Sequence, residues 1–278
     1  MTILAFSALV FAGSIVAGLL GALTGLGGGI VVIPMLTLLF GVDIRYAAGA
    51  ALISVIATSS GAASSYVRDG YSNLRVGMFL EIATTIGAVL GAYLTGHVST
   101  ATIAIIFGVV LLVSAGLSFR PHAEADVHDL PDPTATRLKL DSDYPTPHGR
   151  VAYHVHGVPP AFGLMFLAGG LSGLLGIGSG AVKVLALDRA MRLPFKVSTT
   201  TSNFMIGVTA AASAGIYLNR GYIDPGLAMP VMLGVLIGAL GGAQILTRVQ
   251  SNALRVVFAV AIAVMGLQMI WNGIHGGP

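Results

Sequence analysis

Long apolar runs, separated by short polar segments, dominate the chain. Runs of about 20 residues match the hydrocarbon core of a bilayer, about 30 Å thick, when they form helices. They are continuous and rich in Ala and Gly, without the strict alternation of membrane β-strands. The pattern predicts an all-α polytopic membrane protein with about eight spans. The predicted spans lie near residues 3–26, 46–67, 76–96, 99–119, 158–177, 197–218, 226–247 and 252–273.

The two halves of the chain resemble each other at an offset of 151 residues, as from Gly25 to Gly176. Two short apolar pieces, 30–40 and 181–187, follow Gly-rich bends and are too short to cross a bilayer alone. Repeats with Gly-interrupted apolar segments at matching positions are typical of secondary transporters. We therefore expect two internal repeats, each with a Gly-broken or re-entrant half-helix. The predicted units are a first repeat, 1–119, a polar linker, 120–157, and a second repeat, 158–278.

The linker is the one long polar stretch and holds six of the eleven acidic residues. Its composition is typical of a solvated, partly disordered connector, with a regulatory role as the alternative. Five of the seven histidines also lie in it, but their spacing matches no standard metal-ligand pattern, and we expect no metal site. These histidines are His122, His128, His148, His154 and His156.

Composition excludes several classes of protein. With 55% hydrophobic residues, 9% charged residues and a mean hydropathy of +0.88, the chain does not fit a soluble domain. The net charge of +3 is spread over the loops without a basic run, so nucleic acid is not an expected partner. The absence of cysteine excludes thiol catalysis and thiolate metal sites.

The Gly-rich bends are the first candidate substrate site. Unpaired backbone groups are costly in hydrocarbon, so an unwound stretch persists only where protein buries it or where it lines a wet cavity. Close packing of helices through small residues is the alternative use of glycine. The predicted binding residues of the two bends are Gly25, Gly27, Gly28, Gly29, Gly176, Gly178, Ser179 and Gly180.

A polar run at the start of the predicted sixth span is the second candidate. A helix N-terminus has free N–H groups and a partial positive charge, which together with hydroxyl groups favour an oxyanion. Ordinary capping of the helix by Ser198 or Thr199 is the alternative. The matching segment of the first half, 48–52, has no hydroxyl groups. The predicted binding residues here are Thr199, Thr200, Thr201, Ser202 and Asn203.

Two ionisable residues, Glu81 and Lys183, lie within apolar segments. Charged groups at membrane depth usually face a cavity or a partner and mark ion or proton paths. Lys183 follows the second bend and is the predicted substrate contact, whereas Glu81 is the candidate for ion coupling. The alternatives are a lysine that reaches the interface or pairs with Asp188, and a glutamate paired with Arg75 or Arg45.

Both halves resemble the sulfite exporter TauE/SafE family, also called the 4-toluene sulfonate uptake permease family. The similarity lies in Gly21 to Gly29, followed by Pro34, and in Gly173 to Gly180, followed by the Ser/Thr run. The resemblance implies about eight spans in two repeats. It also implies transport of small sulfur-containing anions, such as sulfite, sulfonates or sulfoacetate, coupled to an ion gradient. The apolar segment 48–51 and the long acidic linker depart from the family pattern.

The expected function is secondary transport of a small anion, with a proton or sodium as the coupling ion. The expected location is the inner membrane of a prokaryote, and no cofactor is expected. An enzyme is disfavoured, because no Ser-His pair, paired carboxylates or His-x-x-x-His helix lies at membrane depth. Two alternatives stay open: an anion channel, and a metal-ion permease that uses the histidines of the linker.

Overall fold

A computed structural model describes residues 2–24, 28–118, 132–146, 149–178, 180–246 and 252–275. Eight helices of 18 to 25 residues run through these ranges, and each begins and ends within two residues of a predicted span. The predicted all-helical fold is confirmed. The long helices are α1 (Ile3–Thr24), α3 (Ile44–Arg68), α4 (Leu74–Leu94), α5 (Thr100–Ser118), α7 (Val158–Leu175), α9 (Phe195–Asn219), α10 (Pro225–Leu246) and α11 (Asn252–His275).

Helices α4 and α7 are by themselves long and apolar enough to cross a membrane. Shorter apolar stretches, of 10 to 17 residues, lie in α1, α3, α5, α10 and α11. Helix α9 is more polar, because its first turns carry Lys196 and the Ser/Thr run. A helix of this kind is stable at membrane depth only when other helices surround its polar face.

Two short helices follow the Gly-rich bends, as predicted. They are α2 (Gly29–Pro34) and α8 (Gly180–Leu185), and each continues into a π-helical turn, Met35–Leu39 and Ala186–Ala190. Both turns end alike: Val42 donates its N–H to Leu36, and Leu193, 151 residues later, donates to Leu187. The half-helices of the two halves therefore share their local geometry.

The long helices pair reciprocally between the halves. Helix α1 packs on α10 and α4 packs on α7, while α3 packs on α9 and α5 on α11. Small residues bring the backbones together at matching points: a Cβ atom on Gly87 would lie 2.1 Å from the carbonyl oxygen of Phe166, and one on Gly238 would lie 2.0 Å from that of Ile15. Two copies of one unit, facing each other across a two-fold axis, would make this set of contacts.

The described part of the linker differs from the expected disordered connector. It contains a short helix, α6 (Pro133–Arg137), and an antiparallel hairpin of β1 (Ser142–Thr146) and β2 (Gly149–Tyr153). Leu140, Tyr153 and Val155 are buried against the start of α4 and the segment that joins α8 to α9. A few apolar side chains anchor this segment, although its composition is polar, because they share a core with the membrane helices.

Candidate functional site

The first bend lies against α3 and α10. Gly28 precedes α2, and a Cβ atom there would lie 2.6 Å from a methyl group of Val235. A Cβ atom on Gly29 would lie 3.1 Å from a methyl group of Val55 and 3.7 Å from the carbonyl oxygen of Gly176. The two bends therefore meet at the middle of the protein, next to α3. Of the predicted binding residues, Gly25 and Gly27 lie outside the described part of the chain.

The second bend depends on glycine for its backbone conformation. Gly176 and Gly178 have φ angles of +73° and +72°, in the left-handed region. The surroundings are also tight, because a Cβ atom on Gly176 would lie 2.6 Å from that of Ala48 and one on Gly178 2.7 Å from a methyl group of Ile206. Close packing is therefore one role of these two glycines, and their place in a substrate site stays a prediction. Ser179 lies outside the described residues, and Gly180 is the first residue of α8.

The hydroxyl groups of the Ser/Thr run bond mostly to the protein itself. Helix α9 begins at Phe195, so Ser198 and Thr199 lie inside its first turns and do not cap it, which makes the capping alternative wrong. Thr199 donates to the carbonyl oxygen of Phe195, and Ser202 donates to that of Gly180 at 3.4 Å. Asn203 is partly buried. A substrate role for this run stays a prediction.

Thr200 and Thr201 join α9 to the loop between α3 and α4. Thr200 donates to the carbonyl oxygen of Tyr71 at 3.0 Å, and Thr201 accepts the backbone N–H of Asn73 at 3.0 Å. The ammonium of Lys196 lies 4.0 Å from the centre of the Tyr71 ring. These contacts close the end of the bundle that faces the linker.

Asn73 is a buried residue that the sequence did not single out. Its side-chain oxygen accepts the N–H of Val76 and caps α4, while its amide nitrogen donates to the carbonyl oxygen of Leu140 and to the hydroxyl of Tyr153. Burial raises the pKa of Tyr153 to about 12, so that the phenol is neutral at physiological pH. Asn73 therefore joins the linker, α4 and α9 at one point.

Glu81 and Lys183, predicted from different halves of the sequence, come together around Thr209. Lys183 is 0% exposed and Glu81 is 7% exposed. The Lys183 ammonium donates to the hydroxyl of Thr209 at 2.5 Å and to the carbonyl oxygen of Met205 at 3.2 Å. Thr209 donates in turn to Oε1 of Glu81 at 2.6 Å. We call Glu81, Lys183 and Thr209 the charged centre.

The alternatives for these two ionisable residues are wrong. Lys183 is fully buried and does not reach an interface, and the ion pair of Asp188 is with Arg189 at 3.6 Å. Arg75 donates to the carbonyl oxygen of Lys139 at 3.1 Å, and Arg45 donates to that of Val98 at 2.8 Å, so neither holds Glu81. Both ionisable groups therefore face the interior, where α4, α8 and α9 meet.

Thr209 was missed because a single hydroxyl group in an apolar helix is common. Its signal is a buried polar stripe on α9 at spacings of about one or two turns, formed by Ser198, Ser202, Thr209 and Ser213. A stripe of this kind predicts the face of a helix that is turned away from lipid. The ionisable residues on neighbouring helices then face that stripe.

Two of the five linker histidines, His154 and His156, lie in the described part of the chain. His154 lies 3.6 Å from Asp141 and is about half exposed, and His156 donates its backbone N–H to Met191. His122, His128 and His148 lie outside the described residues. Within the described ranges, no three His, Cys, Asp or Glu side chains are grouped so that they could hold a metal ion.

Comparison with known proteins places the chain in a family. The model of the family described as sulfite exporter TauE/SafE matches residues 10–269. The probable membrane transporter proteins YunE and YdhB of Bacillus subtilis are 26% and 27% identical to the chain, over 94% and 91% of it and 96% of each relative. The probable membrane transporter protein MJ0441 of Methanocaldococcus jannaschii is 26% identical over 94% of both chains. No solved structure matches. The chain therefore belongs to the sulfite exporter TauE/SafE family and is a membrane transporter, not an enzyme.

Proposed function

We propose that the chain is a secondary carrier for a small anion, in particular a sulfur oxyanion or an organosulfonate, and that an ion gradient drives it. Lys183 is the charge partner of the substrate in this proposal. The observation that carries it is the complete burial of the Lys183 ammonium at membrane depth. Ionisable groups in such positions are rare and mark the paths of substrates and ions.

The surroundings of Lys183 favour an anion as the substrate. An ammonium group has three N–H donors, and described residues accept two hydrogen bonds from it, at Met205 and Thr209. Both acceptors are neutral, so among the described residues Glu81, one hydroxyl group further away, is the group that balances the positive charge. An oxyanion beside Lys183 would supply both acceptors and charge. The description of the family supports sulfur oxyanions among the possible anions.

The bundle is closed between the charged centre and the loop that joins α3 to α4, and this favours a carrier over a channel. The bonds of Thr200 and Thr201 to the loop between α3 and α4 lie about 12 Å from the level of Thr209, at about 1.5 Å per residue of helix. The charged centre itself is sealed from solvent. A carrier needs an occluded site of this kind, because its site opens to one side of the membrane at a time.

A thermal-shift screen of the detergent-purified protein tests the proposal. The ligands are sulfite, thiosulfate, sulfate, sulfoacetate, taurine, a panel of carboxylates and divalent metals, because a ligand of the folded state raises the melting temperature. We expect selective stabilisation by sulfur anions and its loss in Lys183→Met. Stabilisation by divalent metals alone would contradict the proposal and favour the metal-ion permease.

A further inference from the structure

We infer that Glu81 is the proton site of this carrier, and that the charged centre binds one proton together with one monovalent anion. The inference rests on the proposed function and deepens it by naming the coupling ion and the charge of the substrate. Monovalent oxyanions, such as hydrogen sulfite and alkanesulfonates, are then the transported class. Dianions such as sulfate are excluded.

Thr209 connects the two charges directly. Its hydroxyl oxygen accepts from the Lys183 ammonium and lies within donating distance of two acceptors, Oε1 of Glu81 at 2.6 Å and the carbonyl oxygen of Met205 at 2.8 Å. A hydroxyl has one proton and can serve one acceptor fully at a time. Any change in the charge of Glu81 therefore changes the hydrogen bonding of Lys183, and the reverse.

The charges of the centre determine which states are stable. Without a substrate, the carboxylate of Glu81 and the ammonium of Lys183 balance each other. If a monovalent anion bound alone, the buried centre would carry a net negative charge, which is strongly unfavourable in a low-dielectric interior. If a proton bound alone, the centre would be positive. The centre is neutral only when both are present or both are absent.

This balance provides a rule for coupling. A carrier moves its site between the two sides of the membrane, and a net charge on the site opposes that movement. The empty form and the form that holds both ligands are neutral, so both can reorient, whereas the two half-loaded forms are charged. Binding of the anion and binding of the proton must also favour each other equally. The result is proton–anion symport.

The atoms around Glu81 favour a proton over sodium. Its second carboxylate oxygen, Oε2, is buried and has no hydrogen-bond partner among the described residues, so it is available to hold a proton. Thr84 and Thr85 are the other polar neighbours, and Lys183 is the charged one. Sodium binds several oxygen ligands and would be repelled by the ammonium nearby.

Lys183 is the one charged group among the described residues whose charge acts on Glu81. Helix α7, which packs along α4, carries no ionisable side chain. On α9, Lys196 lies in the first turn and faces Tyr71. On α4 itself, Arg75 lies near the start of the helix and bonds to the linker.

Uptake of methanesulfonate into vesicles tests the inference with the full-length protein. Methanesulfonate is a monovalent anion of a strong acid, so that no neutral form leaks across the bilayer. The protein is reconstituted with the membrane potential held at zero, and a gradient of one pH unit is imposed, acidic on the side from which the anion enters. We expect accumulation of about tenfold, since one pH unit is equivalent to a tenfold concentration ratio.

Three further arms use the same vesicles. Replacing the pH gradient by a sodium gradient or by a membrane potential should give no accumulation of methanesulfonate, because the proposed cycle is electroneutral. Sulfate should not accumulate under the pH gradient. Glu81→Gln, which cannot take up a proton, should lose the tenfold accumulation, whereas the control Arg75→Gln, an exposed residue of the same helix, should keep it.

The outcomes separate the two proposals. Counterflow of methanesulfonate without accumulation under a pH gradient would overturn the inference and leave the anion carrier in place. Accumulation driven by sodium or by the membrane potential, or accumulation that persists in Glu81→Gln, would overturn it as well. Absence of counterflow for methanesulfonate, sulfite and every other sulfur anion would overturn the carrier itself. The arms with the wild-type protein decide the question even if Glu81→Gln does not fold.

Discussion

The two halves of the molecule share a scaffold but differ in chemistry. The π-helical turns, the left-handed Gly70 and Gly221, and the close contacts between paired helices recur 151 residues apart. The charged centre does not recur. The equivalents of Glu81, Lys183 and Thr209 are Met232, Val32 and Thr58.

This difference suggests a division of roles in the proposed carrier: the shared scaffold serves the change between its two arrangements, and the charged centre serves substrate binding. A scaffold of two similar halves can adopt two arrangements in which the halves exchange conformations, one open to each side of the membrane. In the proposed carrier, the single charged centre is the one substrate site. Each residue of the charged centre therefore has a matched position in the other half, where the same change should have little effect.

The largest effect is expected when the charged centre is made as apolar as its counterpart. Lys183→Met removes the proposed partner of the anion, and we expect transport to fall by about a hundredfold or more, as for loss of a buried charge of about 3–5 kcal/mol. The variant also leaves Glu81 buried without its counter-charge, so the melting temperature should fall. Counterflow of methanesulfonate and thermal unfolding in detergent measure the two effects.

A double variant separates stability from binding. Lys183→Met with Glu81→Met gives the charged centre the apolar character of Met232 and Val32 and removes both charges together. We expect its melting temperature to recover above that of Lys183→Met, because no unpaired charge is left, while transport stays lost. A double variant less stable than the single one would show that Glu81 and Lys183 are not coupled.

The next largest effect is expected from a comparison of transport by variants of two threonines at equivalent positions, Thr209 and Thr58. Thr209→Val removes the hydroxyl group between Glu81 and Lys183 without changing the volume of the side chain, and we expect about a tenfold loss of transport driven by a pH gradient. Thr58 donates only to carbonyl oxygens of its own helix among the described residues, so Thr58→Val should transport like the wild type. Equal losses in both variants would mean that the threonines act only on helix packing.

A smaller effect is expected where the halves differ in their loops. Asn73 and Asp224 are equivalent and both accept backbone N–H groups at the start of a helix, but within the described ranges only Asn73 also bonds to the linker. Asn73→Ala should lower stability by about 3 kcal/mol, since it removes a cap and two buried hydrogen bonds, and Asp224→Ala by about 1 kcal/mol. Thermal unfolding in detergent compares them. Equal shifts would show that the linker does not stabilise α4.

The smallest effect concerns the linker hairpin, which has no counterpart in the other half. Asp143 pairs with Arg150 at 2.7 Å on the surface, and the hydrogen bond from Arg150 lowers the pKa of Asp143. Such a pair stabilises the folded state above the ordinary pKa of the carboxyl group, and this effect is lost as the pH falls through the lowered value. Because solvent screens exposed pairs, Asp143→Asn should leave the melting temperature at pH 7 unchanged. A clear drop would mean that the hairpin depends on this pair.

Hydropathy alone predicted the helices, because a bilayer requires long apolar runs whatever their partners are. Glu81 and Lys183 could be predicted for a similar reason: a charge inside an apolar run is costly and needs a purpose. Their connection through Thr209 could not, because it depends on how α4, α8 and α9 pack. The fold of the linker was missed because few apolar residues anchor it. The substrate site in the Ser/Thr run stays a prediction, and the bonds of Thr200 and Thr201 to the neighbouring loop could not be predicted because they depend on how that loop packs on α9.

The most direct test of the charged centre is the number of protons taken up when an anion binds. Isothermal titration of the purified protein with methanesulfonate, in two buffers of different ionisation enthalpy, gives this number without any assumption about the direction of transport. Glu81 should take up about one proton for each anion bound at Lys183, since the two binding events favour each other. Binding with no uptake of protons would contradict the account.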